Sequence, residues 1–457
     1  MTIWGKFMFV GREKELQYLK DNYSKDASNI IILYGHRGVG KTSLVRRFAE
    51  GKCAAYLTCR DCSEKEQLFI WNEEFNFGIN EADLSYETLF NCVSYEGEGK
   101  KLLIIDEFQA AVKNSDNFLG MLMRYVKEMD EKVMVLLVCS SICYVENSFV
   151  DKVGALALNI SGYYKVSELT FADLVSYFGG YDIFSCVKLY SIFGGMPSYW
   201  TKISPKLSVK DNIERCILHP DSVLHNEGLN IVSQELRELN VYSTILNCLA
   251  NGKNKLNELH VHTGYSRAKI SVYIKNLMER ELVTKVFSFD NASTANSKKG
   301  VYRIQNRFLQ FYFRFMYNKL SLLTVYGPKK FYETCVEPYI DAYYQENLRF
   351  VAYEYMDISN QMGLLPFKAT KIGEWVGKNG SIDVILQNDD WDTICCYCNW
   401  NKDVITKDDF DNFASIADDA RIHPDYFYII SKGAFSDELL EYQKNDNRLH
   451  LIDLKSF

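Results

Sequence analysis

Gly35-His36-Arg37-Gly38-Val39-Gly40-Lys41-Thr42 sets three glycines, a lysine and a hydroxyl directly behind the apolar run Ile30–Tyr34. Glycines so spaced let backbone N–H groups curl around phosphate oxygens, and a helix starting just after adds its positive end. The pattern predicts a phosphate loop. Lys41 would reach the β- and γ-phosphates of a nucleotide, Thr42 would hold Mg²⁺, and Ser43 completes the loop at the helix start. A second apolar run, Leu102-Leu103-Ile104-Ile105, ends in Asp106-Glu107. Asp106 at that strand end is expected in the Mg²⁺ shell. Glu107 is the candidate catalytic residue, orienting or deprotonating a water that attacks the γ-phosphate. A third run stops at Cys139-Ser140-Ser141, where the Ser140 hydroxyl either meets the γ-phosphate or simply closes its strand.

These groups need a frame to hold them. Residues 1–165 alternate helix and strand patterns: helices over Arg12–Asn22, Thr42–Ala49 and Asn117–Met129, strands over Ile30–Tyr34, Ala54–Thr58, Lys101–Ile105 and Val133–Ser140. Apolar strands separated by helices predict an α/β fold with a parallel sheet. Residues 166–240 read as a helical lid interrupted at Gly194-Gly195-Met196-Pro197, 241–325 as a winged helix-turn-helix, and 326–457 as a further α/β unit.

Composition narrows the class. The 457 residues hold 52 Lys+Arg and 59 Asp+Glu, for a net charge of −7, so the chain is not a polybasic protein. Aromatics at 14% with only 7 Pro exclude a disordered or collagen-like chain. No apolar run approaches the ~18 residues that span a bilayer, and no secretory signal is visible, so no membrane partner is expected. Thirteen scattered Cys read as reduced thiols and a cytoplasmic location.

The order GREKEL, GHRGVGKT, LLIIDEFQ, VLLVCSS, GGMPSYW and YRIQNRFLQFYFRF resembles the archaeal-type ATPase family, within the AAA-related STAND NTPases. The resemblance implies an ATP-binding switch with a winged helix and a C-terminal domain similar to PD-(D/E)XK nucleases. It places Gly11 and Arg12 on the adenine side and makes Pro197 a contact through which the lid senses adenine, with a plain helix break as the alternative. One departure matters. The stretch Gly154–Gly162, where the family usually carries an Arg available to the nucleotide, has none, which implies slow or partner-dependent turnover.

Within the third unit, Leu256–Thr263 and Arg267–Glu281 are the helices of the motif, with Gly264-Tyr265 the turn and Ser266 the N-cap. Ile270, Ile274 and Leu277 mark the buried face. Arg267, Lys269, Tyr273 and Lys275, with Lys298 and Lys299 in the polar tip Asn291–Lys299, are the candidate DNA contacts. Residues 253–303 hold ten basic against four acidic residues, which favours duplex DNA over a packing-only module.

In the last unit the resemblance assigns Asp383 to a nuclease metal position and Glu346 to an auxiliary acid. It puts Tyr397 where the second acid should stand and Asn399 where the Lys should stand. A Tyr brings no carboxylate and an Asn no positive charge, so the centre reads as degenerate. Cys59-Arg-Asp-Cys62 has metal or redox spacing but lacks a second pair nearby, and reads as inert thiols. The expectation is a switch that binds and hydrolyses ATP with Mg²⁺, coupled to a DNA-contacting winged helix, with a protein partner or self-association open. The rivals are an ATP-gated DNA nuclease and a DNA-binding regulator that holds ATP without hydrolysing it.

Overall fold

The computed structural model describes residues 9–95, 99–287, 289, 300–377 and 380–457. They group into two compact units: Met1–Leu169 with Met196–Ser198, and Thr170–Gly195 with Tyr199–Phe457.

The first unit is built on β1 (Asn29–Tyr34), β2 (Ala54–Thr58), β3 (Lys101–Asp106), β4 (Val133–Cys139) and β5 (Gly162–Lys165). All pairings are parallel, in the order β2-β3-β4-β1-β5. Every residue of β4 is buried, as a central strand covered by helices on both faces requires. Trp71, Phe90, Phe108, Phe118 and Leu122 form part of the core against one face. Placing β4 between β1 and β3 sets Ser140 between the phosphate loop and Asp106-Glu107.

β5 lies in a stretch whose sequence pattern predicts no strand. It is a short edge strand with the mixed sequence Gly-Tyr-Tyr-Lys, paired only to β1, so it lacks the apolar run that marks its neighbours. Gly162 leaves room for Tyr18, whose hydroxyl would stand 2.4 Å from a Cβ there and would have to shift.

The second unit begins with the helices Phe171–Tyr177 and Ile183–Phe193. Three further helices, Leu239–Ala250, Leu256–Thr263 and Arg267–Glu279, precede the antiparallel pair β6 (Val283–Val286) and β7 (Val301–Ile304). Gly264 takes φ 73° after the second of these helices, and the Ser266 hydroxyl accepts from Lys269 N at 3.2 Å to start the third. The polar tip, including Lys298 and Lys299, lies outside the described residues.

The aromatic helix runs from Arg307 through a widened turn at Tyr312–Met316, with Phe308, Phe311, Tyr312 and Phe313 buried. The 25-residue helix Glu337–Gln361 then backs the second sheet. That sheet comprises β8 (Lys371–Val376), β9 (Ser381–Gln387), β10 (Thr393–Asn399), β12 (Tyr426–Ser431) and β14 (Leu449–Asp453), in the order β14-β12-β10-β9-β8. The β8, β9 and β10 pairings are antiparallel, whereas β10, β12 and β14 run parallel. A two-residue pair, β11 (Val404–Ile405) with β13 (Ala434–Phe435), flanks it.

Candidate nucleotide site

The loop after β1 turns through left-handed backbone at Gly38 (φ 86°) and Gly40 (φ 98°), and the helix Lys41–Ala49 starts on Gly40. A Cβ at Gly38 would also sit 2.4 Å from Ser198 Oγ, so that hydroxyl would have to turn away. Val39 is fully buried and plugs the loop from below, while Arg37 and Ser43 are exposed and His36 is half-buried. Lys41 is buried, and its Nζ donates to the carbonyls of Gly35 (2.7 Å) and His36 (2.9 Å). Burial lowers its pKa, opposed mainly by the Glu107 carboxylate.

Asp106 ends β3, buried beneath this lysine's helix. Its Oδ2 accepts from the Thr42 hydroxyl at 3.2 Å and from the Tyr56 hydroxyl, and its Oδ1 accepts from Glu107 N at 3.0 Å. Hard oxygens from Thr42 and Asp106, converging next to the phosphate loop, suit Mg²⁺, which prefers a carboxylate, phosphates and water over a full protein cage. Glu107 adopts left-handed backbone (φ 55°) and turns the chain into the helix Phe108–Asn114. Its Oε1 accepts from Ser140 Oγ at 2.5 Å, and its Oε2 accepts from Gln109 Nε2.

Lys41, Thr42, Asp106, Glu107 and Ser140 are thus brought together at the carboxyl ends of β1, β3 and β4. Gly11 (φ 64°) precedes the helix Glu13–Tyr23, and buried Arg12 donates to Val39 O at 2.8 Å and to Glu15 at 2.6 Å. Arg12 therefore braces the phosphate loop itself. Pro197 lies against the loop too, its Cγ 3.7 Å from where a Gly40 Cβ would stand, and Ser198 N donates to Gly38 O at 3.3 Å.

Residues 9–203 match the model of an ATPase domain found predominantly in Archaea. These residues carry an ATPase domain of this archaeal-type family. Residues 312–412 match a second family, of archaeal and bacterial proteins of unknown function. An uncharacterised protein of Methanocaldococcus jannaschii is 28% identical over 390 residues, covering 84% of this chain and 85% of its own. An uncharacterised ATP-binding protein of the same organism is 46% identical over 50 residues, 11% of this chain and 85% of its own. Among solved structures, the Aeropyrum pernix ORC2 protein is 13% identical, with 69% of this chain and 94% of that chain covered and a TM-score of 0.45. A STAND protein with a tetratricopeptide repeat sensor from Pyrococcus horikoshii is 14% identical, with 78% and 51% covered and a TM-score of 0.28.

Two residues of the candidate nucleotide site have no role in the motif reading. Tyr56 reaches Asp106 because β2 pairs with β3 in a register that sets Thr58 opposite Asp106. Gln109 follows Glu107 by two residues, and only the turn of backbone at Glu107 folds it back. No spacing rule flags either. Cys59 is buried and its thiol is pushed well up, away from the thiolate that metal or redox chemistry needs.

On the three-helix module Arg267, Lys269 and Lys275 are exposed along one helix, and Ile270, Ile274 and Leu277 are buried. Arg267 donates to Asn257 Oδ1 at 2.6 Å, Lys275 lies 3.7 Å from Glu279, and Lys269 sits over the rings of Tyr265 and Tyr273. Tyr273 donates its hydroxyl to Glu238, so it is engaged within the module.

In the second sheet Asp383 Oδ2 accepts from Cys398 N at 2.9 Å. Asn399 is buried and fully used: Nδ2 donates to Lys402 O (2.8 Å) and Ser431 Oγ (2.9 Å), and Oδ1 accepts from Lys402 N (3.0 Å). Tyr397 packs its ring on Phe413 with centroids 5.5 Å apart. Glu346 is exposed on its helix. Among the described residues no three His, Cys, Asp or Glu side chains gather as a metal would need, and no helix is long and apolar enough to cross a membrane.

Proposed function

We propose that this ATPase binds ATP with Mg²⁺ and hydrolyses it as a switch, and that its three-helix module contacts duplex DNA. The observation that carries the reading is the linked set Thr42–Asp106–Glu107–Ser140 beside the buried Lys41. Lys41 exchanges the carbonyls of Gly35 and His36 for β- and γ-phosphate oxygens, while the loop N–H groups take the remaining phosphate charge. Thr42 and Asp106 would hold Mg²⁺, which neutralises charge developing on the phosphates. Glu107 takes a proton from the attacking water, and Ser140, already bonded to it, keeps its carboxylate turned toward the loop. Gly11, Arg12 and Pro197 frame the adenine side, and Pro197 links nucleotide state to the lid whose chain flanks it.

For DNA, the support is Arg267, Lys269 and Lys275 exposed on one N-capped helix of a locally basic module. The C-terminal sheet serves as a nuclease-like scaffold without cleavage chemistry, because Asn399 and Tyr397 are committed to internal contacts. One feature favours a second reading, ATP held without turnover: Gly154–Gly162 contains no Arg. A protein partner or a second copy of the chain would then have to supply that charge.

ATP binding by calorimetry and phosphate release by purified protein, with and without duplex DNA, test the proposal. Binding with Mg²⁺-dependent turnover is expected. ATP bound but never hydrolysed, with or without DNA, would favour the second reading, and no ATP binding would overturn both.

A further inference from the structure

The geometry points to Gln109 as a positioning residue for ATP hydrolysis, gripping Glu107 with one end of its carboxamide and the nucleophilic water with the other. The inference rests on the hydrolytic reading above and names a group that the motif chemistry does not include.

Gln109 sits one residue inside the helix Phe108–Asn114. That helix start is fixed: Phe108 is fully buried and meets the rings of Tyr144 and Phe149 at centroid distances of 6.2 and 5.8 Å. The left-handed turn at Glu107 brings the two side chains together, and Gln109 Nε2 donates to Glu107 Oε2. A carboxylate only accepts, so the amide nitrogen must be the atom that faces it. The other end of the carboxamide follows from this. Gln109 Oε1 is buried and has no hydrogen-bond partner among the described residues. A buried acceptor left unpaired is costly, and native structures rarely keep one without a use.

A residue needed only to hold Glu107 would be redundant, because Ser140 already donates to the other carboxylate oxygen. What Gln109 adds is an acceptor attached to the residue that steadies the base. Oε1 is closed to water while the carboxamide lies as described, so the carboxamide must shift to present it to the site. A water that then donates one hydrogen to Glu107 and the other to Gln109 Oε1 has its lone pair directed away from both. In the reaction the water oxygen forms a bond to the γ-phosphorus as the bridging bond to the β-phosphate oxygen breaks. ADP leaves with that electron pair, one water proton passes to Glu107, and the other stays on the phosphate formed.

The test compares wild type, Gln109→Ala and Gln109→Glu in ATP affinity, kcat and KM. Gln109→Ala is expected to lower kcat on the order of 100-fold. KM and ATP affinity should stay within about twofold, since the water and not the nucleotide is misplaced. Unchanged ATP affinity also reports that the site is folded. Gln109→Glu cannot donate to Glu107 and sets a second carboxylate beside it, so kcat should fall at least as far while ATP affinity holds. A kcat for Gln109→Ala equal to or above that of wild type overturns the inference while leaving hydrolysis by Glu107 intact. A kcat for Gln109→Glu equal to that of wild type overturns it as well. Wild type that binds ATP without turning it over defeats the hydrolytic reading itself, and the inference with it.

Discussion

Two strand-end centres in this protein use similar ingredients to opposite ends. At the phosphate loop, Lys41 bonds to backbone carbonyls, and Thr42, Asp106, Glu107 and Ser140 bond to one another. In the proposed function each of those partners is traded for a phosphate oxygen, a metal or a water. At the second sheet, Asn399 binds Ser431 and both backbone groups of Lys402, and Tyr397 lies on Phe413. Those contacts hold β10, β12 and the following turn in place, and trading them would loosen the sheet. A polar cluster is able to bind when its internal bonds are replaceable, and structural when they tie elements together.

The contrast predicts large effects on ligands in the first centre. Glu107→Gln removes only the basic charge, so turnover should fall by about 10²–10⁴-fold while ATP affinity holds. Phosphate release and calorimetry on the same preparation check this, and wild-type turnover by the variant would dismiss Glu107 as the base. Lys41→Ala should weaken ATP binding on the order of 100-fold, the worth of charge-assisted bonds to phosphate in a dry site. Equal affinities in calorimetry would mean that the loop N–H groups suffice.

How much is legible in the sequence follows the same division. Phosphate chemistry acts through consecutive residues, so the loop, Asp106-Glu107 and the end of β4 stand out from local pattern alone. So do the helices around Gly264 and Ser266, where one glycine and one N-cap mark both ends of the turn. Groups that work through strand register do not. Tyr56 reaches Asp106 across 50 residues, Asn399 reaches Ser431 across 32, and Arg303 on β7 pairs with Glu374 on β8 across 71. β5 is hidden for a related reason, because an edge strand paired on one side keeps no apolar run.

The three-helix module lies between these cases, with cations that are exposed but already lightly paired. Changing Arg267, Lys269 and Lys275 together to Ala should weaken binding to duplex DNA about tenfold or more near physiological salt. The log–log salt slope should drop by about 0.9 for each phosphate that the variant no longer neutralises. ATP affinity measured without DNA should not change, because the phosphate loop belongs to the other compact unit. An unchanged slope, or no salt-sensitive binding by wild type, would make the module a packing element.

The smallest expected effect tests whether Asp383 is now a structural residue. Burial raises its pKa to about 6, with Glu374 pushing the same way, while the Cys398 N–H and the Arg349 guanidinium pull it down. An ordinary aspartate titrates near about 3.9, so the folded protein holds this proton through a window where the unfolded chain has released it. Between about pH 4 and 6 the native state therefore binds more protons, and stability falls as pH rises through that window. Above it the cost is fully present. Asp383→Asn keeps an acceptor for Cys398 N but never ionises, so it should be more stable than wild type at pH 8 by about 1 kcal/mol. That is less than the whole shift would give, because the carboxylate keeps some access to solvent. The advantage should shrink to nothing by about pH 4, as read from urea midpoints at several pH values. A variant less stable than wild type at pH 8 would show that Arg349 depends on the Asp383 charge, making the pair a working ion pair and not a buried remnant.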